Sequence, residues 1–136
     1  MSTAVFPGSF DPVTTGHVDL IRRASRMFDR LVVGVLVNSA KQPLFSKEER
    51  VAMLREITAD QDNIEVSSFE GLLVDFVKEQ HADAIVRGLR TPGDFEYELP
   101  LAQANHKLSV QADTIFLASA PEYSYISSSA VRELLR

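Results

Sequence analysis

Ala4-Val5-Phe6-Pro7-Gly8-Ser9-Phe10-Asp11-Pro12-Val13-Thr14-Thr15-Gly16-His17 decides the fold of this chain. A short apolar strand runs into a loop punctuated by proline and glycine, and a helix opens at Gly16-His17. A helix start presents free main-chain N–H groups and the positive end of the helix dipole, so the stretch is a place for an anion. It matches neither G-x-x-x-x-G-K-[ST] nor G-x-G-x-x-G, the two commonest phosphate fingerprints. Thr14-x-Gly16-His17 stands in their place. Gly16 removes a Cβ at the helix entrance, and His17 puts an imidazole donor on the first turn. Taken alone, the pattern also fits an ordinary strand-to-helix turn, with Thr14 as cap and His17 on the surface.

The rest of the chain repeats the alternation. Val18, Leu20, Ile21, Ala24, Met27 and Phe28 recur at helical spacing over Val18–Phe28, with Arg22, Arg23 and Arg26 on the solvated side. Leu31–Val37 is a continuous apolar run, as expected for a strand covered on both faces. After the polar loop Asn38–Pro43, Ser46-Lys47-Glu48-Glu49 forms a capping box for a helix whose apolar face is Val51, Met53, Leu54 and Ile57. Ile64–Val66 reads as a third strand, Gly71–Gln80 as a helix, and Ala84–Val86 as a fourth strand ending at Arg87-Gly88-Leu89-Arg90. Asp94 can cap a helix through about His106, which Pro100 would kink or divide. Thr114–Ala118 is the fifth strand, and Ser128 or Ser129 can cap a last helix running to Arg136.

Five such alternations predict a single-domain α/β fold, a Rossmann-like open parallel five-stranded sheet in the order 3-2-1-4-5 with helices on both faces. Strands one and four then meet at the topological switch point, and ligands bind beyond their carboxyl ends. The Thr14–His17 loop, the Arg87–Arg90 segment, Lys41 and Tyr123–Ser129 all gather there. Two arginines around Gly-Leu suit a phosphate clamp, because guanidinium offers forked donors. Serines before a helix bind phosphate oxygens when they do not simply cap it.

Composition narrows the function. The 136 residues fit one domain, and 14 Lys+Arg against 19 Asp+Glu leave a net charge of −5, which argues against general nucleic-acid binding. With no cysteine there is no disulfide framework and no thiolate metal site. No signal-like N-terminus or membrane-length apolar run occurs, so the expectation is a soluble intracellular protein. His81 and His106 lie in helical contexts, and neither a nucleophile–base pair nor H-E-x-x-H spacing is found. The chemistry implied is transfer of a phosphorus centre by positioning and charge stabilisation, with Mg²⁺ on the phosphates. An ionised phosphate acceptor would need no general base.

Pro7-Gly8-Ser9-Phe10-Asp11-Pro12 with Thr14-x-Gly16-His17, Arg87-Gly88-Leu89-Arg90, Asp94-Phe95-Glu96-Tyr97-Glu98 and Ile126-Ser127-Ser128-Ser129-x-Val131-Arg132 together resemble the bacterial phosphopantetheine adenylyltransferases of the T/H-x-G-H nucleotidyltransferase superfamily. The T-x-G-H and I-S-S-S-x-V-R elements mark the superfamily; R-G-L-R followed by D-F-E-Y-E is much more specific. The resemblance implies attack of the phosphate of 4′-phosphopantetheine on the α-phosphorus of ATP, giving dephospho-coenzyme A and pyrophosphate. It implies catalytic roles for His17, Lys41, Arg90 and Ser128, with Ser9, Phe10 and His17 on the ATP phosphates. Gly88, Leu89, Arg90, Glu98, Tyr123, Ser124, Tyr125, Ile126, Ser127, Ser128 and Ser129 would complete the nucleotide pocket. Ser9, Lys41, Leu73 and Arg87 would hold phosphopantetheine. It further implies Mg²⁺ with ATP, a cytoplasmic homohexamer, competition by coenzyme A species, and no nucleic-acid or membrane partner. Residues 1–136 would be one nucleotidyltransferase domain, short of the C-terminal helical segment that family members usually carry. Nicotinamide mononucleotide adenylyltransferase, glycerol-phosphate cytidylyltransferase and a non-catalytic nucleotide or coenzyme A sensor are the competing readings.

Overall fold

Pairing between Val5 and Val32 on one side, and between Val5 and Ile85 on the other, places the first strand at the centre of the sheet. The computed structural model describes residues 2–38, 42–108 and 112–135. Its strands are β1 (Thr3–Gly8), β2 (Arg30–Leu36), β3 (Ile64–Phe69), β4 (Ala84–Leu89) and β5 (Asp113–Ala118). They form one sheet in the order β3-β2-β1-β4-β5, and every pair is parallel. The helices are α1 (Thr15–Ser25), α2 (Lys47–Ile57), α3 (Leu73–Glu79), α4 (Pro92–Leu108) and α5 (Ser128–Leu135), with a 3₁₀ turn at Pro121–Tyr123. The predicted order and class are the observed ones.

The alternation of side chains along each strand divides the core in two. Ala4, Phe6, Leu31, Val33 and Val86 face Leu20, Ile21 and Ala24 of α1 and Leu54 of α2. Val5, Val32 and Ile85 face the other way, against Phe76 and Val77 of α3. Both faces being covered explains why β2 reads as an unbroken apolar run. At Gly34 a Cβ would come within 2.8 Å of the Phe76 ring, so the missing side chain lets that ring lie against the sheet. At the N-terminal rim, Arg30 donates to both carboxylate oxygens of Glu65, to the Gln80 carbonyl at 3.0 Å and to Gln80 Oε1 at 2.8 Å. It binds β2, β3 and the end of α3 into one unit.

Several boundaries differ from expectation, each for a local reason. Thr14 is the N-cap of α1, so the helix begins at Thr15, one residue before the expected opening at Gly16-His17, and it stops at Ser25 rather than running to Phe28. Met27 is therefore outside the helix and exposed, not part of its apolar face. β4 continues to Leu89 because Arg87, Gly88 and Leu89 pair with Phe116, Leu117 and Ala118. The R-G-L segment is strand, not loop. α4 starts at Pro92, and Asp94 sits in its first turn. There the Asp94 N–H donates to Thr91 Oγ1, while Asp94 Oδ2 accepts from the N–H groups of Thr91 and Arg90. Pro100 does not divide the helix, which runs through it. Ser127 Oγ, rather than Ser128 or Ser129, accepts the Ala130 N–H at the start of α5. The capping box Ser46–Glu49 is present as read. Among the described residues, no helix is long and apolar enough to cross a membrane.

Candidate active site

A cavity of about 320 Å³ opens at the C-terminal rim of the sheet, where β1 and β4 lie side by side. Its floor is the loop after β1. Phe10 takes a left-handed conformation there, with φ of +49°. Three of the loop's carbonyls are taken by side chains of the protein itself. Arg50 donates to Ser9 O at 3.0 Å, Arg132 to Asp11 O at 2.7 Å, and Ser128 Oγ to Pro12 O at 2.8 Å. With these three acceptors satisfied within the protein, the loop turns less negative charge toward an anion in the cavity.

His17 is fixed at the back of this cavity. Its Nδ1 accepts the Thr14 N–H at 3.0 Å, and its own N–H donates to Thr14 Oγ1, so the two residues cap α1 reciprocally. The Phe10 ring meets the imidazole edge-on at 5.0 Å between centroids. Burial, with the charges of Arg90 and Arg87 in support, lowers the His17 pKa to about 4. The ring is therefore neutral near pH 7, and because Nδ1 is an acceptor the proton sits on Nε2. His17 is both the capping residue of the bland alternative and a donor poised at the cavity: the two descriptions hold together.

The wall is cationic. Among the described residues, Arg87, Arg90 and Arg132 line the cavity and no carboxylate does, in a chain whose net charge is −5. Arg90 Nη1 donates to the Ile126 carbonyl at 3.2 Å and its Nε lies 3.7 Å from Asp94 Oδ2. Arg87 spans two cavities: it also borders a smaller one of about 90 Å³, lined by Leu73, Ile85, Glu98 and Leu101 among others. Its guanidinium is shared between the Glu98 carboxylate and Pro7 O, which accepts Nη1 at 2.7 Å.

Of the predicted site residues, Ser9, Phe10, His17, Gly88 and Arg90 border the larger cavity. Tyr123, Ile126, Ser127, Ser128 and Ser129 close its other side. Leu89, Ser124 and Tyr125 do not line it, and Tyr125 is 78% exposed. Leu73 and Glu98 meet Arg87 at the smaller cavity instead. Lys41 lies outside the described residues. Arg50, Asp11 and Arg132 were not singled out by sequence reasoning. Arg132 closes the I-S-S-S-x-V-R run, which is a usable signal; Arg50 looks like one more surface charge of α2, and only its burial at 5% exposure reveals it. For Mg²⁺, the lining offers hydroxyls, an imidazole and guanidinium groups, and no cluster of three acidic or histidine ligands exists among the described residues. Such a lining suits Mg²⁺ carried in on phosphate oxygens with its own waters.

An all-parallel sheet with a phosphate-polarised loop at its switch point defines a nucleotide-handling α/β protein. A family model described as cytidylyltransferase-like matches residues 5–134. The phosphopantetheine adenylyltransferase of Caldanaerobacter subterraneus subsp. tengcongensis is 52% identical over 134 residues, covering 98% of this chain and 84% of the relative. That of Clostridium novyi is 50% identical over 135 residues, covering 99% and 84%. The chain belongs to the cytidylyltransferase-like family, among its phosphopantetheine adenylyltransferases. Solved structures share the fold at lower identity. The lipopolysaccharide core biosynthesis protein of Thermoplasma volcanium superposes with a TM-score of 0.66 at 23% identity, covering 88% of this chain and 98% of that one. A bifunctional NMN adenylyltransferase/ADP ribose pyrophosphatase from Francisella tularensis gives 0.70 at 18% identity, covering 98% and 41%.

Proposed function

We propose that this protein transfers the adenylyl group of ATP to 4′-phosphopantetheine, forming dephospho-coenzyme A and pyrophosphate in coenzyme A biosynthesis. The phosphate oxygen of the acceptor forms a new bond to the α-phosphorus, and the bond from that phosphorus to the pyrophosphate oxygen breaks. The observation that carries the reading is His17, its Nδ1 turned to the Thr14 N–H, beside Arg90 and Arg87 in a cavity that no carboxylate of the described residues lines. A neutral donor and fixed cations stabilise charge gathering on a five-coordinate phosphorus without proton transfer. No general base is required, since the acceptor phosphate is ionised near pH 7.

In this reading Ser9, Phe10, Gly88, Leu89 and Glu98 with Tyr123, Ser124, Tyr125, Ile126, Ser127, Ser128 and Ser129 surround ATP. His17, Arg90, Lys41 and Ser128 stabilise the transition state. Arg87, Leu73, Ser9 and Lys41 hold phosphopantetheine. Mg²⁺ enters on the ATP phosphates and neutralises charge on them. The protein works in the cytoplasm as a homohexamer, and coenzyme A species compete for the acceptor site.

The test is pyrophosphate release with ATP and Mg²⁺, comparing 4′-phosphopantetheine with nicotinamide mononucleotide, and CTP with glycerol 3-phosphate in parallel. Release with phosphopantetheine alone is expected. Release with either other pair reassigns the acceptor; silence from all three, with ATP or coenzyme A still bound, points to a sensor.

A further inference from the structure

Arg50, on α2, is 5% exposed and directs its guanidinium at main-chain carbonyls of three separate segments. Nε donates to Ser46 O at 3.3 Å, at the cap of α2. Nη1 donates to Leu36 O at 3.2 Å, at the end of β2, and to Ser9 O at 3.0 Å, in the loop after β1. The Ser9–Phe10 peptide lies between two cavities. Phe10 and His17 border the one of about 320 Å³, Arg50 borders a neighbour of about 420 Å³, and Ser9 borders both. The peptide is trans, so its carbonyl and its N–H point in opposite directions across one rigid plane. With Ser9 O turned to Arg50, the Phe10 N–H is turned away from it, to the side on which Phe10 meets the first cavity. That N–H meets no acceptor among the described residues, in a residue only 3% exposed. A buried main-chain donor without a partner is rare in a folded protein and calls for a ligand or a water. Phe10 also holds its φ of +49°, which a non-glycine residue keeps only where its surroundings impose it.

We propose that Arg50 is a positioning residue: from behind the wall of the active-site cavity it fixes the plane of the Ser9–Phe10 peptide, so that the Phe10 main-chain N–H stands ready for a phosphate oxygen in front. That the anion is a nucleotide phosphate rests on the reaction proposed above; the orientation of the peptide does not. Arg50 itself does not touch the substrate. Its effect passes through one rigid plane, and its other two bonds, to Leu36 O and Ser46 O, tie that plane to the sheet and to α2. The donor is then in place before the anion arrives, which is where a preorganised N–H gains its advantage over water. Lysine would not do the same, because an ammonium acts as a point whereas guanidinium is a flat fork that sets direction as well as distance.

Amide NMR and kinetics of Arg50→Lys and Arg50→Met test this, at temperatures where melts show each variant folded. Pyrophosphate is the probe. In the wild type it should move the Phe10 amide proton downfield, as an N–H does on gaining an anionic acceptor. The shift should shrink in Arg50→Lys, which keeps the charge without the fork, and vanish in Arg50→Met. Turnover per folded molecule should fall about tenfold in Arg50→Lys and on the order of a hundredfold in Arg50→Met, because a displaced donor no longer meets the transition state. A merely structural arginine would lower the melting temperature alone. A wild-type Phe10 shift, or wild-type turnover per folded molecule, in either folded variant overturns the proposal. So does a wild-type Phe10 amide that pyrophosphate leaves unmoved, a result that needs no variant to fold. If ATP and phosphopantetheine release no pyrophosphate while the Phe10 amide behaves as expected, the reaction is wrong and the part of Arg50 stands.

Discussion

The carboxylate of Asp11 accepts the main-chain N–H of Leu44 at 2.8 Å, and its second oxygen accepts that of Phe45 at the same distance. A residue of the phosphate loop thus holds the segment that leads from β2 into α2, across more than thirty positions of chain. Asp11 is 5% exposed, so its carboxylate is largely withdrawn from water and meets these two N–H groups instead.

Asp11→Asn follows from this. Asn can accept one of the two N–H groups and presents its own amide to the other, leaving a half-buried donor facing a donor at a cost of about 1 kcal/mol. The loop that should meet the triphosphate is loosened at the same time, so kcat/KM is expected to fall at least about tenfold. Denaturant melts and steady-state kinetics check the two halves; a destabilised protein with normal turnover would separate the Asp11 anchor from catalysis.

His17→Ala removes the donor from the cavity and one half of the α1 cap. Loss of a preorganised transition-state donor costs on the order of 10²–10³ in kcat. Loss of the capping acceptor costs about 1 kcal/mol of stability. Near-normal kcat in a folded variant would remove His17 from the mechanism.

The pH dependence of stability carries the same residue's signature. Its pKa is about 4 in the fold against an ordinary 6.5, because burial and the Arg90 and Arg87 charges disfavour the imidazolium. Between those values the unfolded chain takes up a proton that the folded chain refuses. Stability is unaffected by His17 above the ordinary value and is lost as pH falls toward about 4. Melting temperatures from about pH 7 down to about pH 5 should therefore fall less steeply in His17→Ala than in the wild type. In the same window kcat should show no acid limb from this group; a limb near the ordinary value of 6.5 that vanishes in the variant would mean the imidazole titrates normally.

Gly88→Ala tests how tightly β4 and α1 are packed beneath the cavity. A Cβ at this position would stand 2.4 Å from Leu20 Cδ1, and Leu20 is 5% exposed. Overpacking of this kind costs about 1–3 kcal/mol. Because Leu20 lies one turn after His17 on α1, the shift should also lower kcat. Thermal melts and turnover together measure it, and an unperturbed protein would show that Leu20 has room to move.

The sheet was legible because its signals are periodic and local. β2 is apolar throughout, Ser46 and Glu49 spell a cap, and Gly8 to Gly16 break the chain between two periodic runs. The start of α1 was legible to within a residue, because Thr14 and Gly16-His17 mark a cap and a helix entrance; its end at Ser25 was not, since Met27 and Phe28 continue the apolar spacing past it. The β4 boundary was missed because two arginines around glycine and leucine look like loop chemistry, while pairing with β5 keeps them in the ladder. Contacts between remote residues left least trace. Nothing in Arg50, Asp11 or Glu98 taken singly announces burial; each becomes legible only when the carbonyl, amide or guanidinium it satisfies is brought beside it.

The Arg30 clamp on Glu65 and Gln80 stands at the opposite rim of the sheet from His17. Stability at that rim and chemistry at the other are bought in separate places, so stiffening one does not freeze the other. For protein engineering, the N-terminal rim is the handle of this molecule: labels, surface attachment and stabilising substitutions belong there, where a gain in robustness leaves turnover alone.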